Sequence, residues 1–242
     1  MFADFSPAPS DRHVRPLWRV RDMLFGLAIL VAIFVLLSIA FVAFGLDSNG
    51  DERPTFFAVT TVACQLLLAG SVAWLAYRRG LRPADLGLTV PPRWRTALIA
   101  WFGAYGIIMS YGILLLLLEA AGVNVSLFEA SNDLPVEARS SAIVLVLLAV
   151  GVTALAPLSE ELFFRALLFR GLRGYWRLRT SLLVSGIAFG LFHANIGVIM
   201  PFAAIGALFA WANERSGSLW TSIVAHAGVN TVSFLLSVTA ES

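Results

Sequence analysis

Long runs of apolar residues alternate along this chain with short polar segments that are rich in arginine. Residues 23–45, 55–77 and 96–118 contain no charged side chain, and each run is long enough to span a bilayer as a helix. Residues 142–159 form a fourth, shorter uncharged run, which stops at Glu160. The pattern therefore predicts four membrane-spanning helices before Glu160.

The C-terminal part of the chain has a less regular pattern. Residues 162–168 are apolar but accompanied by arginines, residues 181–200 and 218–238 are each long enough to span, and residues 201–212 form a short run. We predict an all-α fold, a polytopic membrane bundle of about seven or eight transmembrane helices. Four glycines are expected to let these helices approach closely: Gly186, Gly190, Gly206 and Gly217.

Composition agrees with a membrane protein and excludes a water-soluble domain. The 242 residues are 59% hydrophobic and 13% charged, with a mean hydropathy of +0.83, so the lipid bilayer is the expected environment. The net charge of +2 gives no reason to expect a nucleic-acid partner, and the single Cys64 excludes an intrachain disulfide. The first apolar run lacks the cleavage pattern of a signal peptide, so we expect it to be retained.

The distribution of arginines predicts the orientation of the helices. Threading alternate spans places three arginine clusters on one side of the membrane, and arginines collect in cytoplasmic loops. The opposite loops, 47–54 and 119–139, contain only Arg53 and Arg139. We expect an integral protein of the bacterial inner membrane with a cytoplasmic N-terminus and with Glu160 near the cytoplasmic end of its helix. The clusters are Arg12, Arg15, Arg19 and Arg21; Arg78, Arg79, Arg82, Arg93 and Arg95; and Arg165, Arg170, Arg173, Arg177 and Arg179.

A change in polarity near residue 140 divides the chain. The spans before it carry almost no polar residues, whereas those after it carry nearly all the groups capable of chemistry. We predict a cytoplasmic tail over 1–22, N-terminal helices and loops over 23–139, a catalytic core over 140–238 and a short tail over 239–242. The first 15 residues are expected to be disordered, and no fold is predicted for the outer segment 122–140.

Six polar residues lie within or at the ends of apolar segments, where an ionisable group is costly unless it is paired or hydrated. They are Glu160, Glu161, Arg165, His193, His226 and Asn230. Glu161 and Arg165 are four residues apart and share a helix face, as do His226 and Asn230, while Glu160 points about 100° away from Glu161. Such a set can support hydrolysis, with a carboxylate as general base, an imidazole that holds water and neutral donors for an oxyanion.

Each residue also has an ordinary structural explanation. Glu161 and Arg165 could form a surface ion pair beside a solvated acid, and His193 could bond only a backbone carbonyl. His226 and Asn230 could hold helices together. One shared site is favoured because all six residues fall within a short stretch. Neither a His-Glu-x-x-His motif nor a Gly-x-Ser-x-Gly motif is present to suggest another hydrolase class.

Three segments resemble the motifs of the CPBP family, the type II CAAX prenyl proteases and bacteriocin-processing proteins, also called Abi proteins. They are APLSEELFFR at 156–165, FGLFH at 189–193 and SGSLWTSIVAHAGVN at 216–230. The resemblance covers about residues 140–238 and implies a glutamate-dependent intramembrane endopeptidase that needs no metal or other cofactor. It further implies that Glu160 and His193 activate water, that His226 and Asn230 stabilise the oxyanion, and that Glu161 and Arg165 order the site.

The resulting prediction is an intramembrane endopeptidase acting on peptides or membrane proteins. The alternatives are a non-proteolytic scaffold or immunity protein of the same family, and a proton-coupled transporter, although no duplicated halves are visible in the sequence. Zinc ligation by Glu160, His193 and His226 is a further alternative to the metal-free site.

Overall fold

The computed structural model describes residues 16–43, 53–128 and 141–239, which form seven helices and no strand. The predictions for residues 1–15, 44–52 and 129–140 lie outside the described residues. In chain order the helices are α1 (Val20–Ala43), α2 (Arg53–Arg79), α3 (Trp94–Ala120), α4 (Ala142–Arg173), α5 (Leu178–Phe192), α6 (Ile196–Ser216) and α7 (Leu219–Thr239), with a 3₁₀ turn at Ser126–Phe128.

Six of these helices are long and apolar enough to cross a membrane, and α5 is a shorter apolar helix. The prediction of an all-α, polytopic membrane bundle is thereby confirmed. The first helix begins earlier than expected, at Val20, inside the segment assigned to a tail. Trp18, just before it, is fully buried, and its Nε1 donates to the carbonyl of Ala166 at 2.6 Å. The start of the described chain therefore packs against α4.

Helix α4 differs from the prediction, because it continues through Glu160 to Arg173. Glu160 lies thirteen residues before that end, about 20 Å along the axis at 1.5 Å per residue. The expectation that Glu160 lies near the end of its helix was therefore wrong. The charged side chains do not end the helix, because Glu161 pairs with Arg165 on α4 itself and with His226 on α7 inside the bundle.

Two π-helical stretches, Gly151–Leu155 and Leu162–Phe169, flank the glutamates of α4. Pro157 favours the first of them, since proline has no N–H to donate to the preceding turn. The N–H of Ala156 instead bonds to the carbonyl of Gly151, five residues back. Such local widening often occurs at functional sites, because it changes the direction of the side chains that follow.

Helices α5 and α6 form a tightly packed hairpin, so the predicted single run over 181–200 was wrong. The chain turns at residues 193–195, where Ala194 has a positive φ of 49° and Asn195 caps α6 by accepting from the N–H of Gly197 at 3.0 Å. A Cβ on Gly190 would lie 2.4 Å from the carbonyl oxygen of Ile199, so only glycine permits this approach. Hydropathy did not predict this break, because the residues on both sides of it are apolar.

Close approach is also the role of Gly186 and Gly206, as expected. A Cβ on Gly186 would lie 2.5 Å from the carbonyl oxygen of Ala203, and one on Gly206 would lie 2.8 Å from the Cβ of Phe189. Gly217 is different, because a Cβ there would meet no atom within 4 Å and the residue ends α6 with a φ of 69°. The prediction for Gly217 was wrong: it is a left-handed helix cap.

One end of the bundle, which we call the arginine end, contains the start of α1 and the connections α2–α3, α4–α5 and α6–α7. Hydrogen bonds join these segments. The α2–α3 connection contacts the other two connections through Leu219 N to Gly87 O at 3.0 Å and Arg170 Nη1 to Asp85 O at 2.7 Å. Two further contacts are Arg173 Nη2 to Glu214 Oε1 at 3.0 Å and Tyr175 OH to Trp18 O at 3.3 Å. Arginines of all three predicted clusters lie here, whereas Arg165 is buried inside the bundle and Arg12 and Arg15 lie outside the described residues.

Candidate active site

The motif residues of α4 and α7 meet inside the bundle. Glu161 is fully buried, and its Oε2 lies 3.1 Å from the Nε of Arg165, which is also fully buried. Its other oxygen, Oε1, accepts from the Nδ1 of His226 at 3.0 Å. The pair is therefore not a surface ion pair, because each charge is balanced within the protein.

Arg165 is further held by helices α5 and α6. Its Nη2 donates to the carbonyl oxygen of Gly206 at 3.2 Å, and its guanidinium lies 4.5 Å from the ring centroid of Phe189 and 5.5 Å from that of Phe209. Cation–π contacts of this kind gain strength when water is excluded. Arg165 thus joins α4, α5 and α6 around the acid pair.

Glu160 lacks the partners that Glu161 has. It is 5% exposed, and its Oε2 is a buried oxygen with no hydrogen-bond partner. The nearest basic atom is Nε2 of His226 at 3.9 Å, which is too far for a direct hydrogen bond. Nη1 of Arg165 also has no hydrogen-bond partner, but Glu160 Oε2 is the unpaired acceptor of the cluster. Since buried polar atoms are normally paired, this oxygen calls for a functional explanation.

His193 lies at the end of α5, beside the turn that leads into α6. Its Nδ1 is 2.9 Å from the carbonyl oxygen of Phe189, so Nδ1–H donates and the neutral ring keeps a lone pair on Nε2. The ring contacts Phe202 and Phe189 with centroid distances of 4.4 and 5.0 Å, and Phe189 also contacts His226 at 5.7 Å. Phe189 thus packs against both imidazoles.

Asn230 bonds to the distorted part of α4. Its Nδ2 donates to the carbonyl oxygen of Val152 at 2.9 Å. In the π-helical register that carbonyl would accept from residue 157, but Pro157 has no N–H. Asn230 therefore supplies the donor that Pro157 cannot, and its second amide N–H is not used in this bond.

A residue of α2 that was not predicted to belong to the site also contacts the cluster. Ser159, which precedes Glu160, is buried and donates through its hydroxyl to Oε1 of Gln65, a residue that is 9% exposed. Gln65 lies in an uncharged span outside the three motifs, so motif matching could not identify it. Its position in the sequence could have identified it, since an amide in the middle of an apolar helix needs a hydrogen-bond partner.

Zinc ligation by Glu160, His193 and His226 stays an alternative to a metal-free site. Within residues 16–43, 53–128 and 141–239, no three His, Cys, Asp or Glu side chains are grouped as metal ligands. Glu160 and His226 face each other, and the bond from His193 Nδ1 to a carbonyl leaves its Nε2 lone pair available. Independence of metal stays a prediction as well.

Fold and site together define a helical integral membrane protein with a buried acid–imidazole cluster. Residues 142–232 match the family described as Type II CAAX prenyl endopeptidase Rce1-like, so this segment of the chain is similar to that family of membrane proteases. The match includes all six predicted site residues.

A bacterial membrane protein of similar sequence adds to this comparison. The chain is similar to "Putative membrane peptidase YdiL" of Bacillus subtilis (strain 168), with 32% identity over 75 residues. That alignment covers 31% of this chain and 31% of the relative, so the chain matches about a third of the relative's length. No solved structure matches the chain.

Proposed function

We propose that this protein is an intramembrane endopeptidase in which Glu160 activates the water that cleaves a peptide bond. The observation that carries the proposal is the buried Oε2 of Glu160, which has no hydrogen-bond partner and lies 3.9 Å from Nε2 of His226. A carboxylate without a partner is free to accept a proton from water, whereas Glu161 is already engaged by Arg165 and His226.

The neighbouring side chains suit the other steps of hydrolysis. The Nε2 lone pair of His193 can accept a hydrogen bond from the same water, while its Nδ1–H is fixed on a carbonyl. The His226 ring is fixed by Glu161 and presents Nε2 beside Glu160. Asn230 has one amide N–H left to donate to the oxygen of the tetrahedral intermediate.

The reaction then proceeds without a covalent intermediate on the enzyme. The water oxygen bonds to the peptide carbonyl carbon as Glu160 takes the proton. The carbon–nitrogen bond breaks next, and the proton on Glu160 passes to the leaving amine nitrogen. Glu161 and Arg165 contact neither reactant in this scheme; they position His226 and the turn of α4 that carries Glu160. This scheme needs no metal or other cofactor.

Comparison of cleavage products in membranes tests the proposal. A host strain lacking the gene is complemented with the wild type, with Glu160→Gln, or with Glu119→Gln, an exposed glutamate at the end of α3. New peptide N-termini should appear with the wild type and the Glu119→Gln control and be absent with Glu160→Gln. Identical products from all three strains would contradict the role of Glu160 and favour a non-proteolytic function.

We also infer that the arginine end faces the cytoplasm, because arginines are disfavoured on translocated loops. The start of α1 and the end of α7 lie at opposite ends of the bundle, so we infer that they face opposite sides of a bacterial inner membrane. A reporter active only in the cytoplasm should work when fused before α1 and fail when fused after Thr239. The reverse pattern would invert the orientation.

A further inference from the structure

A cleft separates the first turns of α1 from the last turns of α2 at the arginine end. Its volume is about 310 Å³, and it is lined by Arg21, Asp22, Phe25, Leu75, Arg78 and Arg79. None of these residues belongs to the acid–imidazole cluster, and all lie outside the family-matched segment 142–232. The proposed peptidase activity therefore gives no explanation for this cleft.

The cleft carries more positive than negative charge. Its single carboxylate, Asp22, accepts from the backbone N–H of Arg19 at 2.9 Å and pairs with Nε of Arg79 at 3.2 Å. The Nε of Arg21 lies 4.0 Å from the other carboxylate oxygen of Asp22, and the Arg21 side chain is 73% exposed. Arg78 makes no ion pair within the described chain, so two guanidinium groups remain available to an external anion.

An apolar aromatic surface adjoins these cations on the membrane side. Phe25 and Trp74 contact each other across α1 and α2, with ring centroids 5.7 Å apart, yet 47% of Phe25 and 42% of Trp74 remain exposed. The guanidinium of Arg78 lies 4.9 Å from the Trp74 ring centroid. Cations at the helix ends and exposed aromatics one turn deeper match the two regions of a phospholipid, the headgroup and the acyl chains.

We propose that this cleft binds the phosphate of an anionic phospholipid. Arg21 and Arg78 contact the phosphate oxygens, because the planar guanidinium group suits this geometry and no carboxylate of the described residues pairs with Arg78. Phe25 and Trp74 contact the upper part of the acyl chains. A zwitterionic lipid fits less well, because its ammonium group would lie among the arginines.

Native mass spectrometry of the full chain purified in detergent tests the proposal, with phosphatidylglycerol and phosphatidylcholine as probes. The test variant is Arg21→Gln with Arg78→Gln, which leaves the Asp22–Arg79 pair intact and changes only exposed side chains. The matched control is Arg82→Gln with Arg95→Gln, two exposed arginines of the α2–α3 connection and the start of α3 that do not line the cleft. Both variants lose the same net charge.

The wild type should bind phosphatidylglycerol in preference to phosphatidylcholine. The cleft variant should bind phosphatidylglycerol about tenfold more weakly, while the control should stay within about twofold of the wild type. Equal loss in both variants, no loss in the cleft variant, or no preference between the lipids would overturn the proposal. Excess inorganic phosphate should not displace the lipid, and displacement would identify a free-phosphate site instead. Neither readout depends on proteolysis.

Discussion

The buried Glu161–Arg165 pair allows a double-mutant cycle whose magnitude follows from the structure. Replacing Arg165 by Met leaves a carboxylate that is fully buried and has lost its partner at 3.1 Å. Breaking a buried pair by removing one member costs about 3–5 kcal/mol, because one charge remains uncompensated. Glu161→Gln should cost a similar amount by leaving Arg165 uncompensated, although the amide oxygen can still accept from His226.

The double variant should be far less destabilised than the sum of the single variants. It removes both charges and keeps the volumes similar, and such replacements are often close to neutral. We expect a coupling energy of at least about 2 kcal/mol between Glu161 and Arg165, measured by reversible unfolding in mixed micelles. The cycle measures positioning rather than chemistry, so it does not require a known substrate.

The Arg173–Glu214 pair is the matched control for this cycle. Its atoms are 3.0 Å apart, but its side chains are 14% and 36% exposed. Water competes for these charges, so the coupling energy of Arg173→Met with Glu214→Gln should be below about 1 kcal/mol. Additive effects in the Glu161–Arg165 cycle, or equal coupling in both cycles, would refute the conclusion that burial makes the first pair essential to the site.

Three further substitutions test contacts around the cluster. Asn230→Leu removes the donor to the Val152 carbonyl and should lower the unfolding free energy by about 1 kcal/mol as well as reduce cleavage. Unchanged stability would show that the bond from Asn230 to Val152 does not stabilise the fold. Gln65→Leu removes the acceptor of the Ser159 hydroxyl, so it should reduce cleavage while lowering the unfolding free energy by less than about 1 kcal/mol. Unchanged cleavage would show that Gln65 on α2 does not contribute to the site. Gly190→Ala should separate α5 from α6 and lower both thermal stability and cleavage, whereas Gly106→Ala on α3, which meets no atom within 4 Å, should change neither.

Hydropathy predicted the membrane bundle well where helices face lipid. The predicted runs 55–77, 96–118 and 218–238 correspond to helices bounded by Arg53–Arg79, Trp94–Ala120 and Leu219–Thr239. Apolar side chains along these helices are largely exposed at the bundle surface, so local sequence is enough to indicate a span. Boundaries shifted by a few residues because polar residues continue the helix beyond the apolar stretch.

Hydropathy was a poor guide where the partners of a charged residue come from distant parts of the chain. The charges of Glu160, Glu161 and Arg165 predicted the end of a span. Helix α4 continues because His226 bonds to Glu161 and the carbonyl of Gly206 bonds to Arg165. The break between α5 and α6 was also invisible, since the turn at His193 is surrounded by apolar residues on both sides. Such contacts depend on tertiary packing, which hydropathy does not describe.

The candidate site was predictable in composition but not in its connections. Helical spacing correctly placed Glu161 with Arg165, and the structure brings His226 to both glutamates. The bonds of His193 to a carbonyl and of Asn230 to Val152 are the ordinary structural contacts that the sequence also allowed. These contacts fix the orientation of each side chain, so they are compatible with a catalytic role and do not replace it.

The rate at which the Glu160→Gln protein cleaves a substrate identified in membranes tests most directly whether Glu160 activates water. The assay uses full-length protein reconstituted in liposomes, with Glu119→Gln as the control and a check that both variants unfold like the wild type. Loss of a general base should slow cleavage by about 100-fold to 10,000-fold. A Glu160→Gln protein that cleaves at the rate of the wild type would contradict the assignment of Glu160 as the residue that activates water.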